Sequence, residues 1–69
     1  MKVSARNSLK GTVKAVNEGA VNTEVVLEVA PGVEVVSIIT KESAAALGIS
    51  QGKEAYAVIK ASNVILAVD

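Results

Sequence analysis

The sequence predicts an all-β fold, a small five-stranded barrel with one short helix between strands 3 and 4. Three observations predict it. Turn residues (Gly11, Glu18-Gly19, Pro31-Gly32, Gly48 and Gln51-Gly52) cut the chain into short segments. Most of these segments are rich in β-branched residues, which fit a pleated, half-buried surface. One segment, Lys41–Leu47, is instead built from strong helix formers.

Strand 1 is expected from Ser4 to Asn17, bent at Gly11. Strand 2 runs from Asn22 to Val29. There Val21, Thr23, Val25, Leu27 and Val29 share one face, and Asn22, Glu24, Val26 and Glu28 the other, as in a half-buried strand. Pro31-Gly32 suits a tight hairpin, because Pro fixes φ and Gly accepts φ > 0. Strand 3 follows from Glu34 to Ile39. Thr40 is the expected N-cap of the helix, Glu42 lies in its first turn and Gly48 just past its end. Strand 4 spans Glu54 to Lys60, with Tyr56 expected to be packed, and strand 5 spans Val64 to Val68. Three strands, a helix and two strands is the element order of an OB-fold-like barrel.

Two strands break the alternation. Strand 3 carries Val35, Val36, Ile38 and Ile39, and strand 5 Val64, Ile65, Leu66, Ala67 and Val68, so both are apolar on both faces. Such a strand needs cover on both sides. The barrel core supplies one cover. Either the helix or another subunit supplies the second.

Composition bounds the rest. At 69 residues the chain is expected to form one domain, residues 1–69, near the lower limit for folding alone. It has no Cys for disulfides and no His or carboxylate cluster for a structural metal, which leaves oligomerisation as the reinforcement. Hydrophobic residues make up 51% of the chain with a single aromatic, so apolar surface is left over for an interface. After Met1-Lys2-Val3 the chain turns polar, unlike a signal peptide, and no apolar run approaches a membrane span. A cytoplasmic, soluble protein that binds no membrane is expected.

Catalysis is disfavoured. Without His or Cys, the commonest general base and the commonest activated nucleophile are missing, and the carboxylates are scattered. There is no phosphate-binding glycine loop. Nucleic acid is disfavoured too, because seven basic and seven acidic residues cancel and Tyr56 is the only stacking face. A small anion fits better. Ser4, Arg6 and Asn7 bunch at one place, Lys60, Ser62 and Asn63 at another, and Thr40 and Ser43 at the expected helix start. Arg offers a rigid fork, Lys a point charge, and a helix start free N–H groups. Taken alone, the same residues read more readily as a helix cap, Thr40, and two surface charges, Arg6 and Lys60.

One further pattern bears on this choice. The opening Ser4-Ala5-Arg6-Asn7-Ser8-Leu9-Lys10-Gly11 resembles the start of the molbindins, the Mop family of small molybdate-binding proteins with a TOBE-like domain. Glu24-Val25-Val26-Leu27-Glu28-Val29 is similar to their second strand. Ser37-Ile38-Ile39-Thr40, leading to Ser43, is similar to their third strand and turn. Ala57-Val58-Ile59-Lys60-Ala61-Ser62-Asn63-Val64 is similar to their closing segment.

The resemblance covers essentially the whole chain. It implies an OB-like barrel that is not an enzyme, assembled as a hexamer (a trimer of dimers), with molybdate or tungstate bound between subunits and no cofactor. It implies that Ser4, Arg6, Asn7, Lys60, Ala61 and Ser62 line one side of the site. Thr40 and Ser43 of a neighbouring subunit would close it. It also implies a second anion site, for which the turn Gly19, Ala20, Val21, Asn22 is the candidate. Ala61 stands where the family often has Ser, which removes a hydroxyl but leaves a backbone N–H. The implied role is molybdenum storage or homeostasis; the alternative is a ligand-sensing regulatory module acting through a protein partner.

Overall fold

The computed structural model describes residues 1–69. Strand β1 (Asn7–Glu18) is the longest and the centre of the fold. Its first half, Asn7 to Thr12, pairs antiparallel with β4 (Glu54–Ile59). Its second half, from Thr12 to Glu18, pairs with β2 (Asn22–Ala30), which pairs in turn with β3 (Val33–Thr40). The sheet order is therefore β3-β2-β1-β4, curled into a half-barrel.

β1 changes partner where two local features bend it. At Gly11 a Cβ would lie 2.4 Å from the Glu28 carbonyl oxygen, so only glycine allows the strands to approach so closely. Beyond it, Lys14 is bulged out of the ladder between Val13 and Ala15. The expected bend at Gly11 is present. The expected start at Ser4 is not, since the ladder begins only at Asn7.

β2 alternates as expected from Thr23 onward. Thr23, Val25 and Leu27 are buried with Val13 of β1, and Val16, Val29, Ile39, Ile49, Ala55 and Ala57 pack around them. Val21 stands outside this face, 71% exposed in the turn before the strand. Pro31-Gly32 closes the β2–β3 hairpin, with Gly32 at φ 75.

Helix α1 (Lys41–Leu47) sits where the composition placed it. The Thr40 hydroxyl accepts from the Ser43 N–H at 3.0 Å, and Gly48 ends the helix in the left-handed region. The Ile49 N–H then donates to the Ala44 carbonyl, a Schellman closure that delivers Ile49 to the core. The helix buries none of its own residues. It therefore leaves Val36 and Ile38, on the outer side of β3, 58% and 59% exposed.

Two expectations are corrected. Val64–Val68 forms no strand: after a 3₁₀ turn at Ala61–Asn63 the chain is unpaired, with Ile65, Leu66 and Val68 about nine-tenths exposed. Its β-branched sequence favours a strand, but a strand needs a neighbour, and this tail has none within the chain. Tyr56 is not packed either. Alternation along β4 sends Ala55, Ala57 and Ile59 inward and Tyr56 outward, where the Lys10 ammonium lies 5.9 Å from its ring centre. Without a fifth strand, β3 and β4 are free edges on either side of an open groove of about 520 Å³, lined by Val25, Leu27, Val35, Ile39, Ala57 and other mostly apolar residues.

Candidate functional site

The β1–β4 ladder ends on the pair Asn7–Ile59. The next residue outward on each side is a cation, Arg6 before Asn7 and Lys60 after Ile59. Register thus brings together two charges that are far apart in sequence. Asn7 secures the junction by donating its side-chain amide to the Ile59 carbonyl at 3.3 Å. Lys60 is extended (φ −63, ψ 133) and leads into the 3₁₀ turn. That turn is held by the Asn63 N–H on the Lys60 carbonyl at 2.8 Å and the Val64 N–H on the Ala61 carbonyl at 3.3 Å.

Ser4, Arg6, Lys60, Ala61 and Ser62 line a surface cavity of about 210 Å³. That is room for several waters, each of which occupies about 30 Å³ in the liquid. The lining offers a guanidinium, an ammonium and two hydroxyls, and no carboxylate. Neither cation is committed elsewhere. The ion pairs of the molecule are Lys10–Glu54 and those of Lys14 with Glu28 and Glu34. Every lining residue is exposed, so the cradle is open on one side. Such an array of free donors suits an anion carrying no proton of its own.

Asn7, expected among the ligands, does not line the cavity; it holds the two walls together. Sequence reading missed this role, because it depends on which residue Asn7 faces across the ladder.

Thr40 and Ser43 lie elsewhere. Their hydroxyls bond each other at 2.9 Å at the start of α1, which leaves one hydroxyl proton of the pair for an outside acceptor. Asn22 pairs with Thr40, and the Lys41 N–H donates to the Val21 carbonyl at 3.2 Å. The turn Gly19–Asn22, closed by the Gly19 N–H on the Asn22 carbonyl at 2.7 Å, is therefore tied to the helix start. The sequence-predicted residues form two groups at opposite ends of β1: Ser4, Arg6, Lys60, Ala61 and Ser62 at one end, and Gly19–Asn22 with Thr40 and Ser43 at the other.

A half-barrel of this topology with a cationic, carboxylate-free cradle at its ladder end defines a small binding module. The chain belongs to the TOBE-domain family, whose model matches residues 3–66. Among its relatives, molybdenum-pterin-binding protein 3 of Clostridium pasteurianum is 52% identical over 66 residues, covering 96% of this chain and 97% of its own. Solved structures are similar along nearly the whole of this chain, among them the following two. MopII from Clostridium pasteurianum superposes with a TM-score of 0.90 at 43% identity, covering 97% of this chain and 100% of its own. The cytoplasmic molybdate-binding protein ModG, with molybdate bound, superposes with a TM-score of 0.95 at 55% identity, covering 100% of this chain and 49% of its own.

Proposed function

We propose that this chain binds molybdate, and tungstate of the same charge and shape, reversibly and without catalysis, for molybdenum storage and homeostasis in the cytoplasm. The observation that carries this reading is the cradle of unpaired donors, Ser4, Arg6, Lys60 and Ser62, with no carboxylate in its lining. Molybdate is a tetrahedral dianion at neutral pH and accepts hydrogen bonds at every oxygen. Phosphate usually keeps a proton there and so also needs an acceptor. Sulfate has the same charge as molybdate, so only size rejects it. The lining has no aromatic face on which a pterin ring could stack, which favours the bare oxyanion. No cofactor takes part.

The site is read as intersubunit. The cradle is open, and Thr40 and Ser43 are at the far end of β1, so one copy cannot bring both groups to one anion. A neighbouring copy supplies them, and its β1–β2 turn, Gly19–Asn22, is the candidate for a second anion site. Assembly also covers what a single copy leaves open. Only four residues of 69 are buried, too small a core for independent stability. The two-sided apolar tail Val64–Val68 matches the groove between β3 and β4 of another copy, whose free edges can take a strand. The proposed state is a hexamer, a trimer of dimers. No helix is long and apolar enough to cross a membrane.

Native mass spectrometry of the pure protein, alone, with molybdate and with sulfate, tests this. The expected result is a hexamer that gains molybdate and not sulfate. A monomer indifferent to molybdate overturns it.

A further inference from the structure

Three of the five residues that line the cradle, Lys60, Ala61 and Ser62, belong to one turn, and that turn is the root of the apolar tail. The turn is weakly determined from within. It is a single 3₁₀ turn, its N-cap Lys60 makes no side-chain capping bond, and two backbone bonds close it. Nothing in the chain holds the tail beyond the turn, since Ile65, Leu66 and Val68 are 92%, 88% and 97% exposed. The geometry of Lys60–Asn63 is therefore set from two sides. An anion drawing Lys60, Ser62 and the backbone of Ala61 inward fixes it from the cradle. A strand position for Val64–Val68 fixes it from the tail.

Resting on the anion and assembly readings above, we propose that the Lys60–Asn63 turn is a coupling hinge. An oxyanion in the cradle sets the direction in which the tail leaves, and so strengthens the addition of that tail to a second copy. Linkage makes the effect reciprocal: tail addition tightens the oxyanion by the same factor. A ligand shifts an equilibrium only by its differential affinity for the two states, and here the state is the geometry of the turn whose residues touch the anion. This coupling acts within one chain, from cradle to tail. It is separate from any stabilisation that a neighbour's Thr40 and Ser43 give by closing the site.

The experiment compares the full chain with a variant carrying two glycines inserted between Asn63 and Val64. The insertion keeps the cradle and the tail but breaks their rigid connection. Sedimentation velocity over a dilution series reads the assembly midpoint with and without saturating sodium molybdate, and equilibrium dialysis reads molybdate uptake. In the unaltered chain, molybdate is expected to lower the midpoint at least tenfold. In the insertion variant, uptake and assembly persist, but the shift is at least threefold smaller, leaving only the part that the neighbour's Thr40 and Ser43 supply. An undiminished shift in the variant overturns the hinge and assigns the linkage to the neighbour's residues. An unaltered chain that takes up molybdate without any shift overturns the hinge while leaving the anion reading intact. If the unaltered chain takes up no molybdate, the anion reading fails first and the hinge with it. Circular dichroism confirms the strands of the variant, and the comparison within the unaltered chain needs no variant.

Discussion

The Asn7 side-chain amide donates to the Ile59 carbonyl on the register pair that ends the β1–β4 ladder. This contact reinforces the ladder end that spaces the two walls of the cradle, because Arg6 and Lys60 are the next residues outward. Asn7→Ala is therefore expected to lower molybdate affinity about fivefold, the equivalent of one hydrogen bond of roughly 1 kcal/mol. The fold and assembly should be kept. Isothermal titration alongside a urea melt checks this; a variant that loses stability but binds as tightly would show that Asn7 serves the ladder alone.

Arg6 and Lys60 have no carboxylate partner to lose, so replacing them leaves no uncompensated charge. Arg6→Ala and Lys60→Ala are each expected to weaken molybdate binding by roughly 1.5–3 kcal/mol, the range for a charge-assisted hydrogen bond. The melting temperature should barely move. Unchanged affinity in both variants sinks the site assignment.

Much of the fold was legible because it is written locally. Gly11, Pro31-Gly32 and Gly48 punctuate the chain where β1 bends, where the hairpin turns and where α1 stops. Thr23, Val25 and Leu27 alternate because β2 has one buried face. Strand partners beyond the Pro31-Gly32 hairpin were not legible. Val64–Val68 has the composition of a strand, but composition cannot say whether the chain itself supplies a neighbour for it. The site was half legible for the same reason. Ser4 with Arg6, and Lys60 with Ser62, read as two local bunches of donors, and only the Asn7–Ile59 register joins them into one cradle. The resemblance of Ser4–Gly11 and Ala57–Val64 to the molbindins named these residues without giving that reason.

Gly11 and Gly32 separate two reasons for needing glycine. A Cβ at Gly11 meets backbone, 2.4 Å from the Glu28 oxygen, which cannot move without opening β1 from β2. A Cβ at Gly32 meets nothing within 4 Å, and only its φ of +75 is unfavourable. Gly32→Ala is expected to cost about 1–2 kcal/mol, the left-handed penalty. Gly11→Ala should cost about 3 kcal/mol, as overpacking against an unyielding wall does. Urea midpoints of the two variants check the order; a milder effect at Gly11 would mean that the bend yields.

Thr23 is 1% exposed, and its hydroxyl has no hydrogen-bond partner in the protein. A buried polar group left without a partner costs roughly 1–3 kcal/mol. Thr23→Val keeps the shape and removes the hydroxyl, so the protein is expected to gain about 1 kcal/mol. A higher urea midpoint with an unchanged slope is the sign; a loss of stability would mean that the hydroxyl is satisfied in solution.

Lys14 reaches from its bulge on β1 to Glu34 on β3 at 2.6 Å, with Glu28 of β2 at 3.9 Å. The hydrogen bond to Glu34 and its charge raise the Lys14 pKa above the ordinary 10.5. A raised pKa means that the folded state holds the proton more tightly than the unfolded state. The stabilisation is therefore complete below pH 10.5 and is lost as pH rises through the higher folded value. Since the pair is exposed, its contribution is small and screened by salt. Lys14→Met is expected to lessen the loss of stability between neutral and strongly alkaline pH, and to do so more at low salt than at high. Urea melts of both proteins at two pH values and two salt concentrations measure this. An alkaline loss identical in the two proteins at low salt would show that the Lys14–Glu34 pair contributes nothing across the outer face of the sheet.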